Sequence, residues 1–239
     1  MQSAVLALLL IAGFVTAVVW FVLMGAFQAR RAAALARRAN ETGMLFTADD
    51  PFDLPRRYAD FALVSSGHSG RACNVTHGRI EGLPIRAFDF HYELGHGTRR
   101  LSRHYAVVAM ETPRDLPVVL MWNQRDPAFA PLATLRSDGQ AGAWSFRGDA
   151  SLAGILGEGC SEAAGEGPCI ETRGSTLMFA APVRTQKDYS AGLAVAEKLL
   201  ASMKNAGVLR WGGGTLHVAD LSRRPDQSSD AGVETQRPA

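Results

Sequence analysis

The sequence predicts an α+β protein: an N-terminal transmembrane helix, then one antiparallel-sheet domain with a C-terminal packing helix. Three observations support this class. Residues 4–27 carry no charge and only one polar side chain, that of Thr16. Between residues 72 and 122, apolar residues recur in strand-like runs, and between residues 185 and 207 they recur at the spacing of a helix. This order indicates an anchor, then a sheet, then a helix packed across it.

The apolar run is long enough to cross a bilayer. As a helix, residues 4–27 would extend about 36 Å, against a hydrocarbon core about 30 Å thick. A cleaved signal peptide would have a charged n-region, a shorter apolar core and a small-x-small cleavage site, and this segment lacks them. We therefore expect residues 1–27 to be a retained signal-anchor.

Four arginines follow the anchor in residues 28–44, a segment predicted to be a basic juxtamembrane helix that continues to about Asn40. On a helix they fall within a stripe about 120° wide, suited to lipid headgroups. Basic residues beside a span remain on the cytoplasmic side of the membrane. The stripe therefore predicts that the residues after the span are cytoplasmic and that the arginines contact the bilayer. A more specific alternative is that they recognise anionic lipid headgroups. The residues are Arg30, Arg31, Arg37 and Arg38.

Composition limits the class of protein further. Arginine far exceeds lysine, and Ala and Gly are abundant, which suggests a GC-rich bacterial genome. A net charge of +2 argues against a nucleic-acid-binding protein. Residues 45–221 are sufficient for one domain with its own core. Residues 222–239 have no aromatic residue and little apolar content, which predicts a disordered tail.

The soluble domain begins with strand signals and ends with a helix. Glu81-Gly82 is typical of a hairpin turn, and it separates the predicted strands 72–80 and 83–94. Residues 41–57 are predicted to be an ordered linker, which Phe46 and Phe52 would dock on the domain. We expect the Gly-rich residues 149–168 to be an exposed loop. Further strands are predicted at 61–65, 102–112, 116–122, 143–147, 170–173, 175–180 and 215–219.

Two cysteines bracket the Gly-rich segment. Cys160 and Cys169 would be able to close a small disulfide loop in an oxidising compartment, and would be free thiols in the cytoplasm. Cys73 lies inside a predicted strand and is expected to be a small core residue. The pair therefore leaves a periplasmic location open as the alternative to a cytoplasmic one.

Histidines concentrate around the predicted hairpin. Five of the 6 histidines are His68, His77, His91, His96 and His104. Asp89 and His91 lie on one face of a strand, about 7 Å apart along it, and His104 on the return strand can reach that face. These three are candidate ligands for a metal ion. The simpler structural alternative is an ion pair between Asp89 and a nearby arginine, for which Arg86, Arg99, Arg100 and Arg103 are candidates.

The hairpin also resembles a known bacterial family. Its members are membrane-anchored proteins with the pattern N-V-x-x-G-x-x-x-G-x-P-x-R-x-F-D-Y-x-Y, and the resemblance covers roughly residues 45–205. Phe90 replaces the usual Tyr, so a role that needs that hydroxyl would be lost here. The resemblance implies an α+β domain behind a membrane anchor. It does not imply any particular activity, because the family has no established one. The matching residues are Asn74, Val75, Gly78, Gly82, Pro84, Arg86, Phe88, Asp89 and Tyr92.

These observations predict a non-enzymatic binding or scaffold module without a cofactor. It would be a single-pass protein of the bacterial inner membrane, with its soluble domain in the cytoplasm and an unidentified protein as partner. The first alternative is a membrane-anchored hydrolase or metal-dependent enzyme that uses Asp89, His91 and His104. The second is an envelope protein with a periplasmic domain and a Cys160–Cys169 disulfide.

Overall fold

The N-terminal helix extends well beyond the apolar run. Helix α1 covers Gln2–Glu41 without interruption. Within the described residues, Leu9–Glu41 is the one helix long and apolar enough to cross a membrane. Side chains from Leu9 to Arg30 are exposed, and burial against the domain begins at Arg31. The computed structural model describes residues 2–123, 126–129, 132, 134–161, 169–183 and 188–208.

Nine strands form one antiparallel sheet in this part of the chain, with the order β1-β2-β3-β4-β9-β8-β5-β7-β6. The sheet and the helices around it confirm the predicted α+β class. The strands β1 to β9 are Leu45–Thr47, His68–Ile80, Leu83–Leu94, Leu101–Glu111, Val119–Trp122, Gly139–Ala141, Trp144–Gly148, Cys169–Arg173 and Thr176–Pro182.

The sheet has a hydrophobic core on each face. On one face, Phe88 and Phe90 of β3 pack with Leu54, which begins one short helix, and with Phe61, which directly precedes another. On the other face, two longer helices and the C-terminal end of α1, residues 31–41, cover the sheet. Since both faces are covered, the strands are apolar on both sides. The remaining helices α2 to α5 are Leu54–Arg57, Ala62–Ser65, Ala150–Ser161 and Asp188–Asn205.

The predicted hairpin is present as β2 and β3. Its turn residues Glu81 and Gly82 both have positive φ, 49° and 83°. The strand β2 begins earlier than predicted, at His68. A register shift between Cys73 and Thr76 places Asn74 at φ 52°, a left-handed conformation that Asn tolerates better than most residues. The irregularity turns the Asn74 amide toward β3.

Two predicted elements are wrong. Residues 62–65 form helix α3 rather than a strand, and residues 150–161 form helix α4 rather than an exposed loop. The glycines that obscured α4 permit close packing, because a Cβ on Gly159 would lie 2.6 Å from Ser202 Oγ of α5. The buried face of α4 contains Leu152, Ala153, Leu156 and Cys160.

The other predicted elements have mixed outcomes. The C-terminal helix is present as α5, and Gly207 follows it with φ 71°, as a glycine helix cap does. Phe52 packs against the core beside α2, and Phe46 packs against the core beneath α1, so both dock the linker as predicted. The predicted strand at 215–219 and the tail at 222–239 lie outside the described residues.

Candidate functional site: a buried ion pair between anchor and sheet

The anchor helix is joined to the sheet by a buried ion pair. The Arg31 guanidinium donates two hydrogen bonds to the Asp89 carboxylate, Nε to Oδ2 at 2.9 Å and Nη2 to Oδ1 at 2.6 Å. Their side chains are only 5% and 1% exposed. This is the planar, two-point geometry that makes arginine–carboxylate pairs strong and directional. The pair fixes where α1 lies on β3.

Side chains on both elements complete the joint. Leu35 and Ala39 follow Arg31 at four-residue intervals on α1. They are buried with Ile85 and Ala87, which precede Asp89 on the same face of β3. Residues at this spacing share one helix face, so one face of α1 has a polar contact at one end and apolar contacts along the rest. The last 11 residues of α1, 31–41, therefore belong to the domain as well as to the anchor.

The Oδ2 atom of Asp89 accepts an additional hydrogen bond from a side chain of β2. Asn74 Nδ2 donates a hydrogen bond of 2.9 Å to Oδ2. Burial by itself would raise the pKa of Asp89, but the Arg31 hydrogen bonds, with His104 and Asn74, outweigh it and hold the pKa well below its usual range. Asp89 is therefore ionised at physiological pH, and its charge is matched by that of Arg31.

Two of the candidate histidines stand beside this pair. His91 and His104 are directly opposite on β3 and β4, and their rings stack with centroids 3.7 Å apart. His104 Nε2 is 3.8 Å from Asp89 Oδ1, longer than a hydrogen bond. Burial, with the neighbouring His104, lowers the pKa of His91 to about 4, so His91 is neutral at pH 7.

The structure brings Asp89, His91 and His104 together as predicted but does not give them the geometry of a metal site. Among the described residues, no group of three or more His, Cys, Asp and Glu side chains is arranged to hold a metal ion. Both Asp89 oxygens accept hydrogen bonds from Arg31, and Oδ2 also accepts one from Asn74. The position that a metal ion would take beside the carboxylate is therefore occupied by the Arg31 guanidinium.

The partner of Asp89 differs from all four candidates proposed from the hairpin. Arg86 pairs with Glu111 at 2.5 Å, and Arg100 pairs with Glu93 at 3.4 Å. Arg99 is exposed, and Arg103 contacts the Pro127 carbonyl at 3.4 Å. Arg31, 58 residues away in sequence, takes the position instead.

The predicted arginine stripe is divided between two environments. Arg31 is buried in the domain, which removes it from the headgroup stripe. Arg30, Arg37 and Arg38 remain exposed, and Arg38 pairs with Glu41 at 3.2 Å on the helix surface. A headgroup contact for these three remains a prediction.

The cysteines do not form the alternative disulfide. Cys160 and Cys169 are both free thiols, buried in the cores on opposite faces of the sheet. Burial raises the pKa of the Cys160 thiol to about 12 and that of Cys169 well above its usual value. Cys73 is also free, but it is only half-buried and belongs to none of the three buried clusters, so its prediction as a small core residue is not confirmed. Cys160 and Cys169 therefore pack as small apolar side chains in two separate cores.

Comparison with known proteins adds evidence on the fold. No family model matches the sequence, and no curated protein matches it either. The fold is similar to the crystal structure of the mycobacterial trehalose monomycolate transport factor A, TtfA, with a TM-score of 0.51. The two chains are 15% identical, and the similarity covers 78% of this chain and 98% of that one. At this identity the likeness concerns the fold.

Proposed function

We propose that this chain is a membrane-anchored, non-enzymatic accessory protein that holds a protein partner at the membrane surface in a transport process. The observation that carries the proposal is the buried Arg31–Asp89 pair, which makes the anchor and the domain one body. A domain attached in this way presents its surfaces at a defined height and rotation above the bilayer. The fold shared with TtfA supports a role in lipid transport.

The chemistry of the site favours binding over catalysis. A general acid or base needs a pKa near the working pH and access to substrate. Asp89 has a lowered pKa and is buried beneath Arg31, and His91 is neutral and stacked on His104. The group therefore serves to position the anchor. We also propose that the chain belongs to the bacterial family whose hairpin pattern it resembles.

The first prediction is that loss of the gene slows the export of newly made lipid from the inner membrane. Pulse-labelled lipid, measured in separated membrane fractions, should recover its normal rate when the wild-type chain or Arg38→Met is supplied. Arg31→Met should restore export less well at equal protein abundance, because the domain is no longer held on its anchor. Unchanged export in the deletion strain, or stoichiometric zinc or iron in the purified full-length protein, would contradict the proposal.

The second prediction concerns the side of the membrane. We propose that the domain is cytoplasmic, because the basic residues next to the span follow it in the sequence. A fluorescent protein that matures only in the cytoplasm should be bright when fused to the C-terminus, and alkaline phosphatase at the same position should be inactive. The reverse pattern would place the domain in the periplasm, the alternative location.

A further inference from the structure

We propose that the β3–β4 tip, residues 94–101, is a second membrane contact that lies in the headgroup layer and binds anionic lipid. The inference rests on the membrane anchoring of α1 in the proposed function. It assigns a lipid-binding role to a surface separate from the juxtamembrane arginines. Three features support it: the direction of β3 relative to α1, the height of the tip, and the chemistry of its side chains.

The helix α1 and the strand β3 run in opposite directions. Arg31 contacts Asp89, whereas Met44, just after α1, contacts Gly78, which is paired with Ile85. From residue 31 to residue 41 the helix rises about 15 Å, and from Asp89 back to Ile85 the strand covers about 13 Å. A strand path of about 13 Å beside a helix path of about 15 Å corresponds to a crossing angle of about 30° between the two axes. The C-terminal end of β3 therefore points toward the membrane.

The geometry places the tip at the level of the headgroups. From Asp89 to Leu94 the strand rises about 17 Å, and a crossing angle of about 40° to α1 would still leave about 13 Å. A span of about twenty residues starting at Ala4 ends at Leu23, about 12 Å from Arg31. Trp20, 67% exposed, suits this boundary, because Trp is enriched at membrane interfaces. The headgroup layer begins there and extends about 5–7 Å toward the domain, so the tip reaches it.

The side chains of the tip suit an anionic surface. Arg99 and Arg100 are exposed, and Leu101 beside them is 47% exposed. Residues 94–104 contain three arginines and no Asp or Glu. The adjacent acidic residue Glu93 lies 3.4 Å from Arg100, whose side chain is nevertheless 57% exposed. On the neighbouring strand, Arg71 is exposed as well. Basic side chains around an exposed apolar residue match a bilayer interface, where the arginines contact phosphate and the leucine enters the edge of the acyl region.

The test measures the depth of single fluorescent labels in the full-length protein, reconstituted into vesicles that contain phosphatidylglycerol and quencher-bearing lipid. Leu101→Cys reports on the tip. Val118→Cys is the matched control, because Val118 is an equally exposed apolar residue, at 51%, at the opposite end of the sheet. Phe14→Cys reports separately on insertion of α1. Labelling of the wild-type chain corrects for the native cysteines.

We expect lipid quenching at positions 14 and 101 and none at 118. Arg99→Gln with Arg100→Gln should lower the ratio of bound to free tip about 30-fold, since each basic residue near an anionic surface contributes to binding. Vesicles of neutral phosphatidylcholine should reduce quenching at 101 in the same way. Free inorganic phosphate should not compete, because the contact is with a surface.

Three results would overturn the inference. Quenching at 14 but not at 101 rejects the tip contact and leaves the anchored module intact. Equal quenching at 101 in neutral and anionic vesicles, unchanged by the double substitution, rejects anionic recognition. No quenching at 14 rejects membrane insertion of α1, and with it both the proposed function and this inference.

Discussion

Replacing Asp89 by alanine is expected to lower the free energy of unfolding by about 3–5 kcal/mol, because removing one partner of a buried pair leaves an uncompensated charge. The charge left behind is that of Arg31, which is 4% exposed. The Asn74 amide would also lose its acceptor. Denaturant unfolding of the full-length protein in detergent, followed by circular dichroism, measures the change.

The control lies on the same helix. Arg38 and Glu41 also form an ion pair, but both side chains are 53% exposed. Arg38→Ala is expected to cost less than about 1 kcal/mol, because exposed pairs are screened by water. A double substitution of Arg31→Met with Asp89→Leu should recover most of the stability, since it removes both buried charges. Equal effects of Asp89→Ala and Arg38→Ala would contradict the buried joint.

This joint changes how the juxtamembrane segment is understood. Basic residues after a membrane span determine its orientation, and for that role they need no contact with the domain. Here the inner face of the segment carries Arg31, Leu35 and Ala39 into the domain core, while Arg37 and Arg38 remain in solvent. A partner that moves the domain must therefore also move the membrane helix. Such coupling would serve the accessory role that we propose.

The sequence could predict the fold class and one half of the candidate site. The alternation along residues 83–94 predicts that Asp89 and His91 share a face, and the register of β3 with β4 confirms it. The α1 helix was also predictable beyond the membrane boundary, because alanine and leucine separate the arginines. Local periodicity is sufficient for such features.

The other half depends on contacts between distant residues. Arg31 is indistinguishable in sequence from Arg30, and only the docking of α1 on β3 selects it. The spacing of Arg31, Leu35 and Ala39 was a visible signal of a buried face, but a stripe of arginines on a helix also fits a headgroup contact. Glycines hid α4 similarly, although Leu152, Leu156 and Cys160 repeat at four-residue intervals.

Replacing Glu171 by glutamine is expected to stabilise the protein at pH 8 by up to about 4 kcal/mol, because each pKa unit corresponds to about 1.4 kcal/mol. Glu171 is 3% exposed in β8, and burial raises its pKa to about 7, despite the Ala62 amide and Arg173. Its unfolded-state pKa is about 4.3. The folded state therefore holds a proton that the unfolded state releases, and stability falls as the pH rises from about 4 to about 7.

The difference between the variant and the wild type isolates this effect. His91, with its pKa lowered to about 4, titrates in the opposite sense over the same range, because its unfolded form binds the proton more readily. Its contribution is common to both proteins and cancels in the difference. The glutamine side chain of the Glu171→Gln variant keeps an oxygen for the Ala62 amide, whose bond to Glu171 is 2.6 Å. The stabilisation should thus be near zero at about pH 4 and reach its maximum above about pH 7. A difference independent of pH would show that Glu171 titrates alike in both states.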